Sequence, residues 1–170
     1  MKKKMIFLLA IVLLVPALVL GATLIITNKP LGLNDAETYY VAGNAFFKEG
    51  AYARAIASYE QAVQLKPSHE GARNNLAFLY NKLGDYDKAA VQLAELVKIN
   101  PANPSYHYDY AINIVLNIKK TGQGKIEDIE KAISEFSIAE QLSPGYMNAK
   151  DNIDFLNGLK KEYDEKQSVQ

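Results

Sequence analysis

The side chains of this chain that could do chemistry are a few carboxamides, two histidines and scattered carboxylates. His69 and His107 each lack a second His or Cys at metal-ligand spacing, so both read as structural. There is no cysteine, which removes thiolate metal sites, disulfides and a sulfur nucleophile. Gly122-x-Gly124 has neither the preceding strand nor the third glycine that dinucleotide phosphates require. No Ser, His and Asp arrangement follows a triad order. What does recur is asparagine, at Asn44, Asn74, Asn75 and Asn81. A carboxamide both donates and accepts, so it can pair with a peptide backbone. Tyr40, Asn44 and Phe47 follow one another at three or four residues, the spacing of one helix face. This chemistry is binding, with no catalytic set and no cofactor expected.

Positioning such side chains needs a folded scaffold, and the composition provides for one. The chain is 49% hydrophobic and 22% charged over 170 residues, well away from a disordered composition. The 19 basic residues balance 19 acidic ones, but three of the basic residues are Lys2, Lys3 and Lys4, which leaves the rest of the chain slightly acidic. Phosphate recognition needs clustered Lys and Arg, so no nucleic-acid partner is expected.

The scaffold repeats with a period of 34. Gly50 is matched by Gly84, Tyr52 by Tyr86, Ala55 by Ala89, Pro67 by Pro101 and Phe46 by Tyr80. The first unit carries Gly43, Phe46, Gly50, Tyr52, Ala55, Tyr59, Ala62 and Pro67 at its small, aromatic and turn positions. The second carries Ala77, Tyr80, Gly84, Tyr86, Ala89, Leu93, Leu96 and Pro101. Glycine tolerates the left-handed backbone that ends a helix, and proline stops the next one. Small residues permit close helix approach, and aromatics fill the remaining space. Each unit therefore predicts two antiparallel helices. Asn34 and Glu37 suggest a cap for the first.

Both units resemble the tetratricopeptide repeat (TPR). The resemblance implies an all-α fold, a right-handed superhelix of antiparallel hairpins in residues 36–165. Its three repeats cover 36–69, 70–103 and 104–146, the last with an insertion near 117–127. A capping helix over 147–165, with a polar outer face, and a tail over 166–170 follow. It also implies a concave groove lined by the first helix of each pair. Tyr40, Asn44, Phe47 and Lys48 fall there from the first repeat, and Asn74, Asn75, Phe78, Asn81 and Lys82 from the second. Tyr108, Asp109 and Ile112 come from the third. Chaperone-binding members clamp a terminal carboxylate with two asparagines and three basic residues. Asn44 and Asn75 match the asparagines, but the basic positions hold Tyr40, Ser105 and Asp109, so that specificity is not expected.

Residues 1–27 read as a membrane segment and 28–35 as a linker. Met5 to Ile26 carries no charge and is long enough to span a bilayer as a helix, with Lys2 to Lys4 held in the cytoplasm. One N-terminal transmembrane helix is expected, with the repeats extracytoplasmic. A signal peptide cut near Gly21-Ala22, releasing a secreted or periplasmic domain, is the competing reading. The function expected is a non-catalytic, membrane-anchored adaptor that binds a protein or peptide in its groove. The alternative is a self-assembling homo-oligomer in a surface or envelope complex.

Overall fold

The computed structural model describes residues 35–167, which form seven α-helices and no strand. They are α1 (Ala36–Lys48), α2 (Tyr52–Leu65), α3 (Glu70–Lys82), α4 (Tyr86–Ile99), α5 (Pro104–Thr121), α6 (Ile126–Leu142) and α7 (Ala149–Gln167), with a 3₁₀ turn over Tyr146–Asn148. The expected membrane segment 1–27 and linker, apart from Asp35, lie outside the described residues, as do residues 168–170. Among the described residues no helix is long and apolar enough to cross a membrane.

Local chemistry sets the helix ends. Gly50 and Gly84 have φ of 74° and 78°. At the first, the Gly50 amide donates to the Phe47 carbonyl and the Ala51 amide to the Phe46 carbonyl. At the second, Gly84 donates to Asn81 and Asp85 to Tyr80 in the same way. This double closure satisfies the terminal carbonyls and reverses the chain within a few residues. The N-cap of α1 is Asp35, whose Oδ1 accepts from the Glu37 amide at 3.0 Å. That corrects the expected Asn34 cap by one position. His69 caps α3, its Nδ1 accepting from the Ala72 amide at 3.2 Å. Asn103 caps α5, with Pro104 in the first turn, where no amide hydrogen is needed.

Each helix packs on the next, so the chain stacks as hairpins α1–α2, α3–α4 and α5–α6, closed by α7. Alanines lie at the contact points: Ala55, Ala62, Ala72, Ala89, Ala111, Ala132 and Ala149 have no exposed surface. Tyr59, Leu76 and Leu79 fill the core of the first two hairpins, and Phe136 and Leu156 that of the last. Ala77, Leu93, Leu96 and Tyr106 join the second hairpin to the third.

The third hairpin is longer than the first two. Helix α5 has 18 residues against 13 for α1 and α3, and α6 has 17 against 14 for α2 and α4. Its extra turn reaches back, and Lys120 Nζ donates to the Gly84 carbonyl at 2.8 Å. The last helix starts later than expected. Met147 and Asn148 hold positive φ angles of 44° and 61°, which no helix tolerates, so α7 begins at Ala149. Its outer surface also departs from the polar face expected of a cap, because Phe155, Leu159 and Tyr163 are exposed along it.

Both histidines are structural. His107 and Glu135 are each 3% exposed. Nδ1 of His107 lies 2.6 Å from Glu135 Oε2, and Nε2 lies 2.9 Å from the Pro101 carbonyl. A carbonyl only accepts, so Nε2 carries hydrogen. The proton between Nδ1 and Glu135 then ties α5 to α6, and Lys131 Nζ, 2.7 Å from the other carboxylate oxygen, completes the set.

Gly43 shows how tight the hairpin contact is. A Cβ there would stand 2.5 and 2.6 Å from two ring carbons of the buried Tyr59. Gly43→Ala should cost about 1–3 kcal/mol through forced displacement of that ring. Urea denaturation of the variant checks this, and an unchanged midpoint would mean that the α1–α2 contact is looser than described.

Candidate functional site

A cavity of about 540 Å³ opens between the second and third hairpins. That volume lies within the range of small-ligand and side-chain pockets. Helix α3 contributes Asn74, Ala77, Phe78 and Asn81, and α4 contributes Leu93. Helix α5 contributes Ser105, Tyr108, Asp109, Ile112 and Asn113, and the turn before α7 adds Met147. The helical spacing explains the set: Ser105, Asp109 and Asn113 recur every four residues along one face of α5, and Asn74, Phe78 and Asn81 follow one another at four and three residues on α3. The left-handed backbone at Met147 and Asn148 belongs to the same rim. Backbone strain of this kind concentrates at binding and catalytic sites.

The hydrogen bonds decide which atoms remain free. Asn113 Nδ2 donates to the Asp109 carbonyl at 2.8 Å. That carbonyl can only accept, so Asn113 must turn its oxygen outward, and it receives Asn81 Nδ2 at 2.8 Å. Ser105 Oγ donates to Asp109 Oδ2 at 3.1 Å. The Tyr108 hydroxyl accepts from Asn152 Nδ2 at 3.3 Å. Within the described residues this leaves Asn81 Oδ1, Asp109 Oδ1, the Tyr108 hydroxyl hydrogen, one amide hydrogen each of Asn81 and Asn113, and the whole Asn74 carboxamide without a partner. No Lys, Arg or His is among the lining residues. Burial raises the Asp109 carboxyl above the ordinary carboxylate range, and the Ser105 hydroxyl partly offsets it.

Of the twelve residues expected in the groove, Asn74, Phe78, Asn81, Tyr108, Asp109 and Ile112 line this cavity. The other six sit elsewhere. Tyr40 packs between hairpins, its ring centroid 6.0 Å from that of Tyr59 and 4.8 Å from that of His69. Phe47 packs 5.9 Å from Tyr52 and 5.8 Å from Phe78, which continues the apolar surface from the cavity edge into the first hairpin. Asn44 Oδ1 accepts from the Tyr59 hydroxyl at 2.8 Å and from Asn75 Nδ2 at 2.9 Å. Those two asparagines join the first hairpin to the second, as Asn81 and Asn113 join the second to the third. Burial pushes the Tyr59 hydroxyl up, so it stays protonated and able to donate. Lys48 and Lys82 lie exposed in the last turns of α1 and α3, and Lys82 Nζ sits 5.5 Å from the Tyr52 ring centroid. Ala77, Leu93, Ser105, Asn113 and Met147 also line the cavity and were not among the expected groove residues. The four-residue ladder around Asp109 was the signal for Ser105 and Asn113. Nothing in the sequence marked Met147.

Similarity to known proteins follows the fold. The tetratricopeptide repeat family matches residues 46–109. The TPR repeat-containing thioredoxin TTL4 of Arabidopsis thaliana is 31% identical over 81 residues, which are 48% of this chain and 12% of that protein. The chain thus spans only a small part of that relative. Photosystem I assembly protein Ycf3 of a Synechococcus strain is 28% identical over 138 residues, 73% of this chain and 78% of that one. Among solved structures, the first TPR of Spaghetti (RPAP3) bound to an HSP90 peptide aligns with a TM-score of 0.58 at 19% identity, covering 74% of this chain and 92% of that one.

Asp109 gives a testable sign. Its folded value is raised, so its contribution to stability is complete below the unfolded carboxyl value and is lost as pH rises through the folded one. Asp109→Asn removes that loss while keeping an oxygen for Ser105. Urea denaturation across pH should therefore show the variant gaining on the wild type as pH rises from acid to neutral. A variant less stable at neutral pH would reveal a cation near Asp109.

Proposed function

We propose that this tetratricopeptide-repeat protein is a non-catalytic adaptor that takes a peptide segment of a partner protein into the cavity between its second and third hairpins. The cavity itself carries this reading. It combines an exposed aromatic, Phe78, with unpaired carboxamide atoms in a concave wall built from rigid helices. The fold it shares with the peptide-bound domain of Spaghetti offers the same kind of scaffold.

The N-terminal 27 residues add a location to this reading. An uncharged stretch from Met5 to Ile26 behind three lysines favours a single anchor with the repeats on the extracytoplasmic side. A soluble form released by cleavage would keep the same binding surface. The experiment uses tagged full chain in membranes. The protein should stay in the pellet after carbonate washing and co-purify a discrete partner after mild solubilisation. Phe78→Ala combined with Asn74→Ala should abolish that capture. Phe78 is more than half exposed and Asn74 makes no hydrogen bond to a described residue, so the fold should survive both changes. Undiminished capture by the double variant would overturn the cavity reading, and full release by carbonate would overturn the anchor.

A second reading is favoured by one observation, the exposed Phe155, Leu159 and Tyr163 at successive turns of α7. Such a stripe suits contact between copies of the chain. Sedimentation of the full chain in micelles at several concentrations separates the two readings. A concentration-independent monomer removes self-assembly, whereas a dimer lost on Phe155→Glu supports it.

A further inference from the structure

We infer that the cavity selects a partner segment by one cationic side chain, Arg or Lys, whose head pairs with Asp109. The inference rests on the peptide-binding reading above and names the chemistry of what enters.

The charge and the unpaired oxygens of the wall define the group that fits it. Asn113 gives one amide hydrogen to the Asp109 carbonyl, and its oxygen accepts from Asn81. Ser105 spends its hydrogen on Asp109 Oδ2. The groups left unpaired on lining residues include the second oxygen of Asp109, the oxygen of Asn81, the carboxamide of Asn74 and the hydroxyl hydrogen of Tyr108. The one formal charge among the lining residues is negative, carried by Asp109. A ligand group that answers this charge must be positive and able to donate hydrogen bonds to carboxylate and carboxamide oxygens. Ammonium offers three donors and guanidinium five, with no acceptor on either. An anionic or purely carbonyl group would leave Asp109 desolvated beside like polarity, which is repulsive.

The apolar lining fits the remainder of such a side chain. Phe78, Ile112, Leu93 and Met147 surround the polar atoms. Arginine and lysine carry an apolar stem ending in a charged head, so the stem can lie against these residues while the head reaches Asp109. The partly buried position of Asp109 strengthens a charge-assisted bond relative to one in open solvent. Asp109 acts here as a specificity-determining residue, while Phe78 provides affinity common to any apolar segment.

The test uses short acetylated and amidated peptides of alanine and leucine bearing one central Arg, Lys, norleucine or Glu. Each carries fluorescein and is titrated against the full chain in uncharged detergent micelles by fluorescence polarisation. Arg and Lys peptides should bind about tenfold tighter than the norleucine peptide, the size expected of one hydrogen bond to a charged group. The Glu peptide should bind weakest. Asp109→Asn should bring Arg, Lys and norleucine peptides together, while Phe78→Ala should weaken all of them alike. Equal binding of Arg and norleucine peptides, both lost on Phe78→Ala, would overturn the cation preference and leave the cavity reading standing. A preference for Arg that survives Asp109→Asn would overturn the role of Asp109. Peptides that fail to bind, or that bind independently of Phe78, would overturn both.

Discussion

The structure depends on how closely two helices can approach. Where the largest group between two backbones is a methyl or a hydrogen, the axes come near enough for a neighbouring ring to lie flat in the gap. Gly43 over Tyr59 is the extreme case, with no room for one more carbon. Fully buried alanines repeat the arrangement from Ala55 to Ala149. Dense packing of this kind makes each hairpin rigid, and rigidity is what lets side chains on successive first helices hold a fixed separation.

Polar contacts then determine the register between hairpins. Asn44 with Asn75, and Asn81 with Asn113, bond across neighbouring first helices. The Tyr106 hydroxyl donates to Glu70 Oε1 at 2.6 Å and is pushed up to about 12 by burial and by that carboxylate. The Tyr80 hydroxyl does the same toward Glu60, and its value is raised for the same two reasons. Each hydroxyl stays protonated through the physiological range and so remains a donor. These bonds contribute little individually, but each leaves a cost if one partner is removed from a buried setting. Carboxamides that looked like free ligand contacts are thus part of the joint between repeats, and the free atoms are those left over after the joints are made.

Much of this architecture was legible in the residues. The 34-residue period, the turn glycines and the longer third hairpin follow from chain order alone, because left-handed backbone and helix periodicity are local properties. The cap of α1 was misplaced by one residue because Asn34 and Asp35 are both good caps and only the chain path chooses between them. The start of α7 was misjudged because Met147 and Asn148 adopt left-handed angles that neither residue type announces. Half of the candidate site was legible. Phe78, Asn81 and Asp109 could be placed on the inner face by register, but Tyr40 could not be separated from them, since an aromatic at that spacing serves a core as well as a groove.

What the sequence determined by itself was the repeating unit: two helices, the glycine turn between them, and which residues share a face. Those depend on interactions within a few residues along the chain. What only the tertiary structure decided was which polar atoms remain available. The oxygen of Asn81 is left unpaired because Asn113, 32 residues away, takes an amide hydrogen, and Asn113 does so because the Asp109 carbonyl takes one of its own. A carboxamide has the same atoms in either role. Its partners are set by neighbours brought near through folding, and those neighbours are invisible in a linear reading.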